Sequence, residues 1–210
     1  IKTMDWAFAN MTGATTITLD DVGRASASMA HIFDGDASAT SITLGAKYTD
    51  IEDVASATSL EYAFAHTSAL TTLDLSGIGS SAIKGDVDDE GVAYTGMRHM
   101  LDGSALVDKT RTDERKVTIG SAFTKVLNGF VWDRESVNEN PAYVLQADIE
   151  VKDGGPTSKD ALMECPTMEG NAYSGAVNLI GGSVEYRQAW ILRHYVDLEI
   201  EGTPIDPTTG

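Results

Sequence analysis

The acidic run Asp86-Val87-Asp88-Asp89-Glu90-Gly91 is the stretch whose residue types and spacing best suit a chemical role. Carboxylates at its positions 1, 3 and 5 and a glycine at position 6 match the opening of an EF-hand loop, in which oxygen atoms surround calcium. The closing bidentate glutamate should stand at residue 97, which is Met97. The favoured interpretation is therefore a solvated acidic loop, with calcium binding through Asp86, Asp88 and Glu90 as the alternative and no other cofactor expected.

Catalytic residue types are present, but not in a catalytic sequence context. The chain has four histidines, His31, His66, His99 and His194, and a single cysteine, Cys165. It contains no nucleophile elbow, no phosphate-binding G-x-x-x-x-G-K-[ST] and no H-E-x-x-H. One cysteine also excludes an intramolecular disulfide. We therefore expect a protein that is not an enzyme.

The charge balance restricts the possible partners. The chain has 15 Lys and Arg against 32 Asp and Glu, a formal net charge of −17. Such a field repels phosphate backbones and anionic lipid surfaces, so nucleic-acid binding is not expected. No run of eighteen apolar residues is present, so direct membrane insertion is not expected either.

One apolar skeleton recurs along the first half of the chain. In repeat 1 (residues 4–19) it occupies relative positions 0, 3, 4, 7, 10, 13 and 15, counted from Met4. Repeat 2 (29–44) and repeat 3 (60–75) keep apolar residues at six of these positions, all except position 7. Repeat 4 (97–119) keeps the first half, and a polar insert at 108–116 displaces its strand-like end to Val117 and Ile119. The starts are 25, 31 and 37 residues apart (29−4, 60−29, 97−60).

The hydrophobic period changes within each repeat. Positions 0, 3, 4 and 7 share one face of a helix, whereas positions 13 and 15 alternate as in a strand. A short helix and a short strand cannot bury their apolar faces alone, so the repeats should stack into a solenoid. We predict adjacent parallel strands at 15–19, 41–44 and 71–75, with Phe8, Phe33 and Phe64 stacked in the core.

This skeleton resembles the BspA-like leucine-rich repeats of bacterial surface proteins, whose repeat is M-x-x-M-F-x-x-C-x-x-L-x-x-L-x-L. The resemblance covers residues 1 to about 120. It departs from the family in its uneven spacing and at the family's cysteine-like position, which carries Met11, Asp36, Thr67 and Ser104. The resemblance implies a surface-exposed solenoid that binds other molecules.

The rest of the chain has a different pattern. A helix starting at Ser121 is predicted to cap the repeats, because Phe123, Val126, Leu127 and Phe130 share one helical face. Residues 145–151 and 192–200 alternate apolar and polar side chains, and Gly181-Gly182 is typical of a hairpin turn. The predicted fold class is α+β: a short leucine-rich-repeat solenoid of parallel strands plus short helices, followed by a mainly antiparallel β C-terminal part. The predicted regions are 1–132 (solenoid and capping helix), 133–202 (antiparallel β) and 203–210 (linker or tail).

Two surfaces are candidates for binding. Relative position 2 is aromatic in every repeat, at Trp6, His31, Tyr62 and His99, and stacking should align these rings into one stripe. The rings either fill a seam or form a contact strip for a partner, since Trp and Tyr are favoured at binding hot spots. The second surface is the outward side of the strands, where water or a partner would satisfy Thr16, Thr18, Thr43, Thr72 and Asp74.

These features favour a non-catalytic, surface-exposed repeat protein that mediates protein or glycan binding and adhesion. Its partners would be a protein or glycan at a cell surface, or copies of itself or neighbouring subunits, and its location extracellular. The alternative function is a structural subunit of an extracellular or virion assembly.

Overall fold

The structure is a computed structural model. It describes residues 3–20, 28–44, 59–77, 97, 99–119 and 145–152, and the backbone of short strands at 85–87, 93–95, 132–134, 141–144, 179–181, 199–200 and 203–204. The strands, in chain order, are β1 (Thr16–Leu19), β2 (Ser41–Leu44), β3 (Thr72–Asp74), β4 (Gly85–Val87), β5 (Ala93–Thr95), β6 (Lys116–Ile119), β7 (Trp132–Arg134), β8 (Pro141–Val144), β9 (Asp148–Val151), β10 (Leu179–Gly181), β11 (Glu199–Ile200) and β12 (Thr203–Pro204).

One parallel sheet organises the described residues. Five strands lie in the order β1-β2-β3-β6-β9, β10 extends the sheet beyond β9, and every neighbouring pair is parallel. Ile17 lies beside Ile42, Ile42 beside Leu73, and Leu73 beside Val117. The prediction of adjacent parallel strands is therefore confirmed, including the displaced strand of repeat 4.

The core lies between this sheet and the first halves of the repeats. The buried strand residues belong to one hydrophobic cluster with Met29, Phe33, Phe64 and Met100. The rings of Phe8 and Phe33 stack with centroids 6.1 Å apart, and those of Phe33 and Phe64 with centroids 5.7 Å apart. The predicted stacking of the three phenylalanines is confirmed, but only Phe33 and Phe64 lie in the core, and Phe8 is half-buried beside it.

The first halves of the repeats are consecutive turns and not helices, so the prediction of short helices is wrong. In the described residues the only helix is a 3-10 helix at Ala105–Val107. In repeat 1, the Ala7 amide donates to Met4 and the Ala9 amide to Trp6, each three residues back. The backbone φ is positive at relative positions 2 and 6 of all four repeats, and a right-handed helix cannot continue through such residues. We call residues 4–11, 29–36, 60–67 and 97–104 the turn segments.

Backbone hydrogen bonds join successive turn segments in one direction. The amides of repeat 1 at positions 0, 2, 4 and 6 donate to carbonyls of repeat 2 at 2.9–3.1 Å, the acceptors being Ser28, Ala30, Ile32 and Asp34. Repeat 2 donates to repeat 3 in the same register, and Phe64 and His66 donate to Met100 and Asp102 of repeat 4. Stacking thus satisfies the backbone groups that a helix would have satisfied internally.

The C-terminal part is less antiparallel than predicted. Strand β9 comes from the predicted antiparallel region, yet it pairs parallel with β6. Burial of Leu145, Ala147 and Ile149 completes the core beside Val117. Strand β10 also pairs parallel with β9. Antiparallel pairs occur at β4-β5, β7-β8 and β11-β12. The predicted capping helix from Ser121 and the second arm of the hairpin after Gly182 lie outside the described residues. Among the described residues, no helix is long and apolar enough to cross a membrane.

The polar insert of repeat 4 is built around Arg115. Its guanidinium, almost fully buried, donates to the carbonyls of Ala105 (2.6 Å), Asp108 (2.8 Å) and Arg111 (3.2 Å). The carbonyls of Ala105 and Asp108 also accept the amides of Asp108 and Arg111, each at 3.3 Å, so the guanidinium adds a second, charged donor to both. The insert is therefore an ordered part of the repeat.

Candidate functional site

The four aromatic residues at relative position 2 form one continuous stack. The Trp6 and His31 rings are 3.9 Å apart and tilted by 8°, His31 and Tyr62 are 4.6 Å apart and tilted by 4°, and Tyr62 and His99 are 4.8 Å apart and tilted by 14°. The alignment predicted from the repeat is confirmed. We call these four residues the aromatic stack.

The backbone adopts a left-handed conformation at each of these four residues, and this conformation orients their rings. The φ angles are 60° at Trp6, 55° at His31, 53° at Tyr62 and 55° at His99. Outside glycine, asparagine and aspartate this conformation is disfavoured, by roughly 1–2 kcal/mol per residue. Each stacked aromatic pair stabilises the fold by about 0.5–1.5 kcal/mol, so the stack offsets much of the free energy that the left-handed backbone conformation costs.

Exposure along the stack is uneven. Trp6 is the one large hydrophobic residue that is exposed among the described residues, at 54%. The His31 side chain is 24% exposed and that of His99 is 14% exposed. His31 and Tyr62 have a ring on each face, whereas Trp6 is stacked on one face and is largely exposed.

A carboxylate that the sequence interpretation missed fixes the inner part of this site. Asp34 is buried, and its two oxygens lie 2.7 Å from Nδ1 of His31 and 2.8 Å from Nδ1 of His66. His31 is thus held by Trp6 and Tyr62 on its faces and by Asp34 at its edge. The signal in the sequence was the three-residue spacing between His31 and Asp34, which repeats between His99 and Asp102.

A second row, at relative position 6, alternates large and small side chains. The residues are Asn10, Gly35, His66 and Gly103, all with positive φ. A methyl group added at Gly35 would lie 2.4 Å from Oδ1 of Asn10, and one added at Gly103 would lie 3.0 Å from Cδ2 of His66. Each glycine therefore leaves room for the side chain of the preceding repeat.

The third row, at relative position 7, buries polar groups in the core. The Asp36 carboxylate accepts a 2.6 Å hydrogen bond from the Met11 amide through Oδ1, while its other oxygen, Oδ2, is buried without a partner. Burial raises the pKa of Asp36, the Met11 hydrogen bond lowers it, and the neighbouring Asp34 raises it further, so the pKa is raised overall. In repeats 3 and 4 the same row is neutral, and the Thr67 hydroxyl lies 2.8 Å from that of Ser104.

The outward side of the sheet has an uncharged part and an ion-paired part. Thr16 pairs with Ser41 and then Thr72, and Thr18 pairs with Thr43 and then Asp74, so the predicted residues form two rows. Beyond β2 charged residues join these rows: Lys152 lies 2.8 Å from Asp74 and Lys116 lies 2.7 Å from Glu150. Burial would raise the pKa of Asp74, but hydrogen bonds from Lys152 and Ser76 lower it overall. The hydroxyl-only surface is confined to β1 and β2.

No metal site emerges from the described part of the chain, where no group of three or more His, Cys, Asp or Glu side chains is arranged to hold an ion. Of the calcium candidates, Asp86 lies in β4, whose backbone alone is described, and Asp88 and Glu90 lie outside the described residues.

Comparison of this chain with protein-family models, curated proteins and solved structures finds no match.

Proposed function

We propose that this chain is a non-catalytic repeat protein, a short solenoid of the leucine-rich-repeat type, that binds a protein or glycan at an extracellular surface. The observation that carries the proposal is the aromatic stack, which runs across four repeats and ends in the exposed ring of Trp6. A flat exposed ring suits both the apolar face of a sugar and an aromatic or aliphatic side chain of a protein.

The rigidity of the stack supports this role. Binding costs less when the contact residues are already ordered. Trp6 rests on His31, which Asp34 holds at 2.7 Å, and the backbone of Trp6 donates to Ala30 at 3.1 Å. The exposed ring is therefore positioned before a partner arrives.

The test compares Trp6→Ser with Tyr62→Ser in binding to arrays of glycans and extracellular matrix proteins. Trp6→Ser should abolish binding with little loss of stability, because Trp6 is exposed. Tyr62→Ser should lower the melting temperature, because Tyr62 packs between two rings. Binding that survives Trp6→Ser in a folded protein contradicts the proposal.

A structural subunit of an extracellular or virion assembly is the second function, and the position of β1 favours it. Among the described strands β1 has a neighbour on one side only, and an edge strand is a template for pairing with another chain. Light scattering distinguishes the two: a monodisperse monomer supports the binding protein, and a ring or filament supports the subunit.

A further inference from the structure

We infer that the aromatic stack is an electron-transfer path, through which Tyr62 returns an electron to Trp6 after a one-electron oxidant has removed one. This inference goes beyond the proposed function, because it concerns the redox chemistry of the stacked rings and not the binding of a partner.

The stack places a ring that resists oxidation between two rings that do not. Tryptophan and tyrosine are among the residues that lose an electron most readily, whereas histidine resists one-electron oxidation. Trp6 and Tyr62 are therefore redox-active members of the stack, and the His31 ring lies between them. The π system of His31 can couple the two without itself being oxidised.

The ring contacts are short and nearly parallel, as efficient coupling requires. Electron transfer between aromatic groups slows steeply as the gap between their π systems grows. The Trp6 and His31 rings are 3.9 Å apart and tilted by 8°, and the His31 and Tyr62 rings are 4.6 Å apart and tilted by 4°. The phenylalanine stack is looser, with centroids 6.1 Å and 5.7 Å apart, and phenylalanine is not readily oxidised. The aromatic stack thus combines close contact with redox-active residues.

Hydrogen bonds hold these contacts in place. Nδ1 of His31 lies 2.7 Å from Oδ2 of the buried Asp34, which fixes the ring at its edge. The Trp6 amide donates to Ala30 at 3.1 Å and the His31 amide to Glu61 at 2.8 Å, so the backbone at each ring is tied to the next repeat. A preorganised arrangement of this kind needs little rearrangement during the reaction.

The reaction balances as the transfer of one hydrogen atom from Tyr62 to oxidised Trp6. A one-electron oxidant in solution takes an electron from Trp6, and the indole N–H proton passes to water. Tyr62 then gives an electron to the Trp6 radical across His31. The phenolic proton passes to water, and a proton from water returns to the indole nitrogen. The products are intact Trp6 and a tyrosyl radical.

This direction of transfer is downhill and protects the indole. At neutral pH a tyrosine that can release its proton is easier to oxidise than tryptophan. A tryptophan radical that persists ends in oxygenated, ring-opened products, whereas a tyrosyl radical regains a hydrogen atom from a solution reductant such as ascorbate. Transfer therefore preserves Trp6 when the chain meets a one-electron oxidant.

The test forms the Trp6 radical selectively and follows its decay. In a chain with Trp132→Phe and Trp190→Phe, Trp6 is the sole tryptophan. Light at the long-wavelength edge of the protein absorption excites tryptophan and not tyrosine. Hexaammineruthenium(III), a trication attracted by the net charge of −17, then takes the electron. Transient absorption should show the Trp6 radical decaying as a tyrosyl radical grows, at a rate independent of protein concentration; decay without a tyrosyl radical overturns the inference.

Two tyrosine variants identify the electron donor. Tyr62→Phe keeps a ring in the stack that is not readily oxidised, so the tyrosyl signal should be lost. Tyr94→Phe, the matched control, removes a tyrosine outside the stack and should leave the signal unchanged. A tyrosyl signal that survives Tyr62→Phe overturns the inference, and so does one that Tyr94→Phe abolishes.

A third variant, His31→Asn, tests the bridging ring, because asparagine tolerates the positive φ but has no aromatic ring. The tyrosyl signal should be largely lost, and an unchanged rate overturns the inference. Circular dichroism checks that each variant is folded; if the double tryptophan variant is not, the difference between the natural chain and Trp6→Phe supplies the Trp6 signal. None of these results bears on the glycan and matrix arrays, so failure of the two proposals can be told apart.

Discussion

At the residue scale, Asp36 is a fully buried carboxyl of the described core with one of its two oxygens unpaired. Its raised pKa means that the folded chain holds the proton more tightly than the unfolded chain. The stability that protonated Asp36 contributes is fully present below its pKa in the unfolded chain, near 3.8. This contribution is lost as the pH rises through its pKa in the folded chain. Ionisation of this carboxyl at neutral pH therefore works against the fold.

Replacement Asp36→Asn removes this ionisation and keeps an oxygen for the Met11 amide. The free energy of unfolding of the variant, measured relative to the natural chain, should therefore be higher at pH 7 than at pH 4. The increase should be about 1.4 kcal/mol for each unit by which folding raises the pKa of Asp36. Urea unfolding at both pH values measures the change. A relative stability that is the same at pH 4 and pH 7 would contradict the assignment.

The aromatic stack shows what residue patterns predict and what they leave out. Alignment of Trp6, His31, Tyr62 and His99 follows from the repeat spacing alone, since equal positions in stacked repeats are neighbours. The positive φ at Trp6 and Tyr62 could not be predicted, because these residue types do not favour it, although histidine, as at His31 and His99, is more often found there. At position 6, Asn10, Gly35 and Gly103 are residue types that tolerate this conformation. Their recurrence at one position of the repeat is the feature of the sequence that indicates turns.

At the scale of the elements, strands were predictable and the turn segments were not. Alternation of Ile17 with Leu19 and of Ile42 with Leu44 indicates strands directly, and the sheet pairs them as expected. Apolar residues at positions 0, 3, 4 and 7 fit both a helix and consecutive turns, so the periodicity alone favoured the wrong element. The parallel pairing of β9 also escaped prediction, because a strand of alternating residues gives no indication of its direction.

The phenylalanine stack should carry a large share of the stability of the turn segments. Phe33→Ala should cost about 3–5 kcal/mol, because it removes a fully buried ring between two others. Phe8→Ala should cost clearly less, since Phe8 is half-buried at the edge. Denaturant unfolding of both variants measures the difference, and equal losses would show that the stack is not a core element.

The insert of repeat 4 should depend on Arg115 and very little on Arg111. Arg115→Ala removes three hydrogen bonds from a nearly buried guanidinium to backbone carbonyls, so a loss of at least about 2 kcal/mol is expected. Arg111→Ala, the control, removes an exposed ion pair with Asp113 and an exposed hydrogen bond to the Ser68 carbonyl, and exposed contacts of this kind contribute little. Hydrogen exchange at residues 105–115 should increase in the first variant only; equal exchange in both would refute the role of Arg115.

At the scale of the whole molecule, the excess of negative charge opposes the compact state. The net charge of −17 is spread over a chain of 210 residues, and ions in solution screen the resulting repulsion. Ion pairs such as Lys152 with Asp74 relieve it locally on the outward side of the sheet. The free energy of unfolding should therefore rise with ionic strength, because dissolved ions screen the net repulsion more than they screen these few ion pairs.

Calcium chloride provides a sharp test of the acidic run at Asp86, Asp88 and Glu90. Sodium chloride should raise the melting temperature, and calcium chloride at the same ionic strength should raise it no further, because Met97 stands where the closing ligand would be. Differential scanning calorimetry compares the two salts. An additional increase with calcium that a chelator reverses would establish a site there.

The unequal spacing of the repeats indicates that this fold tolerates inserted residues between repeats. Starts 25, 31 and 37 residues apart (29−4, 60−29, 97−60) still bring the turn segments into one hydrogen-bonded register and the strands into one sheet. The extra length falls between the end of one strand and the start of the next repeat, and repeat 4 adds further residues in the insert held by Arg115. Epitopes or enzyme-cleavable tags grafted at those junctions should leave the stacked repeats intact. Natural sequence variation and protein engineering can therefore add residues at the same positions in the chain.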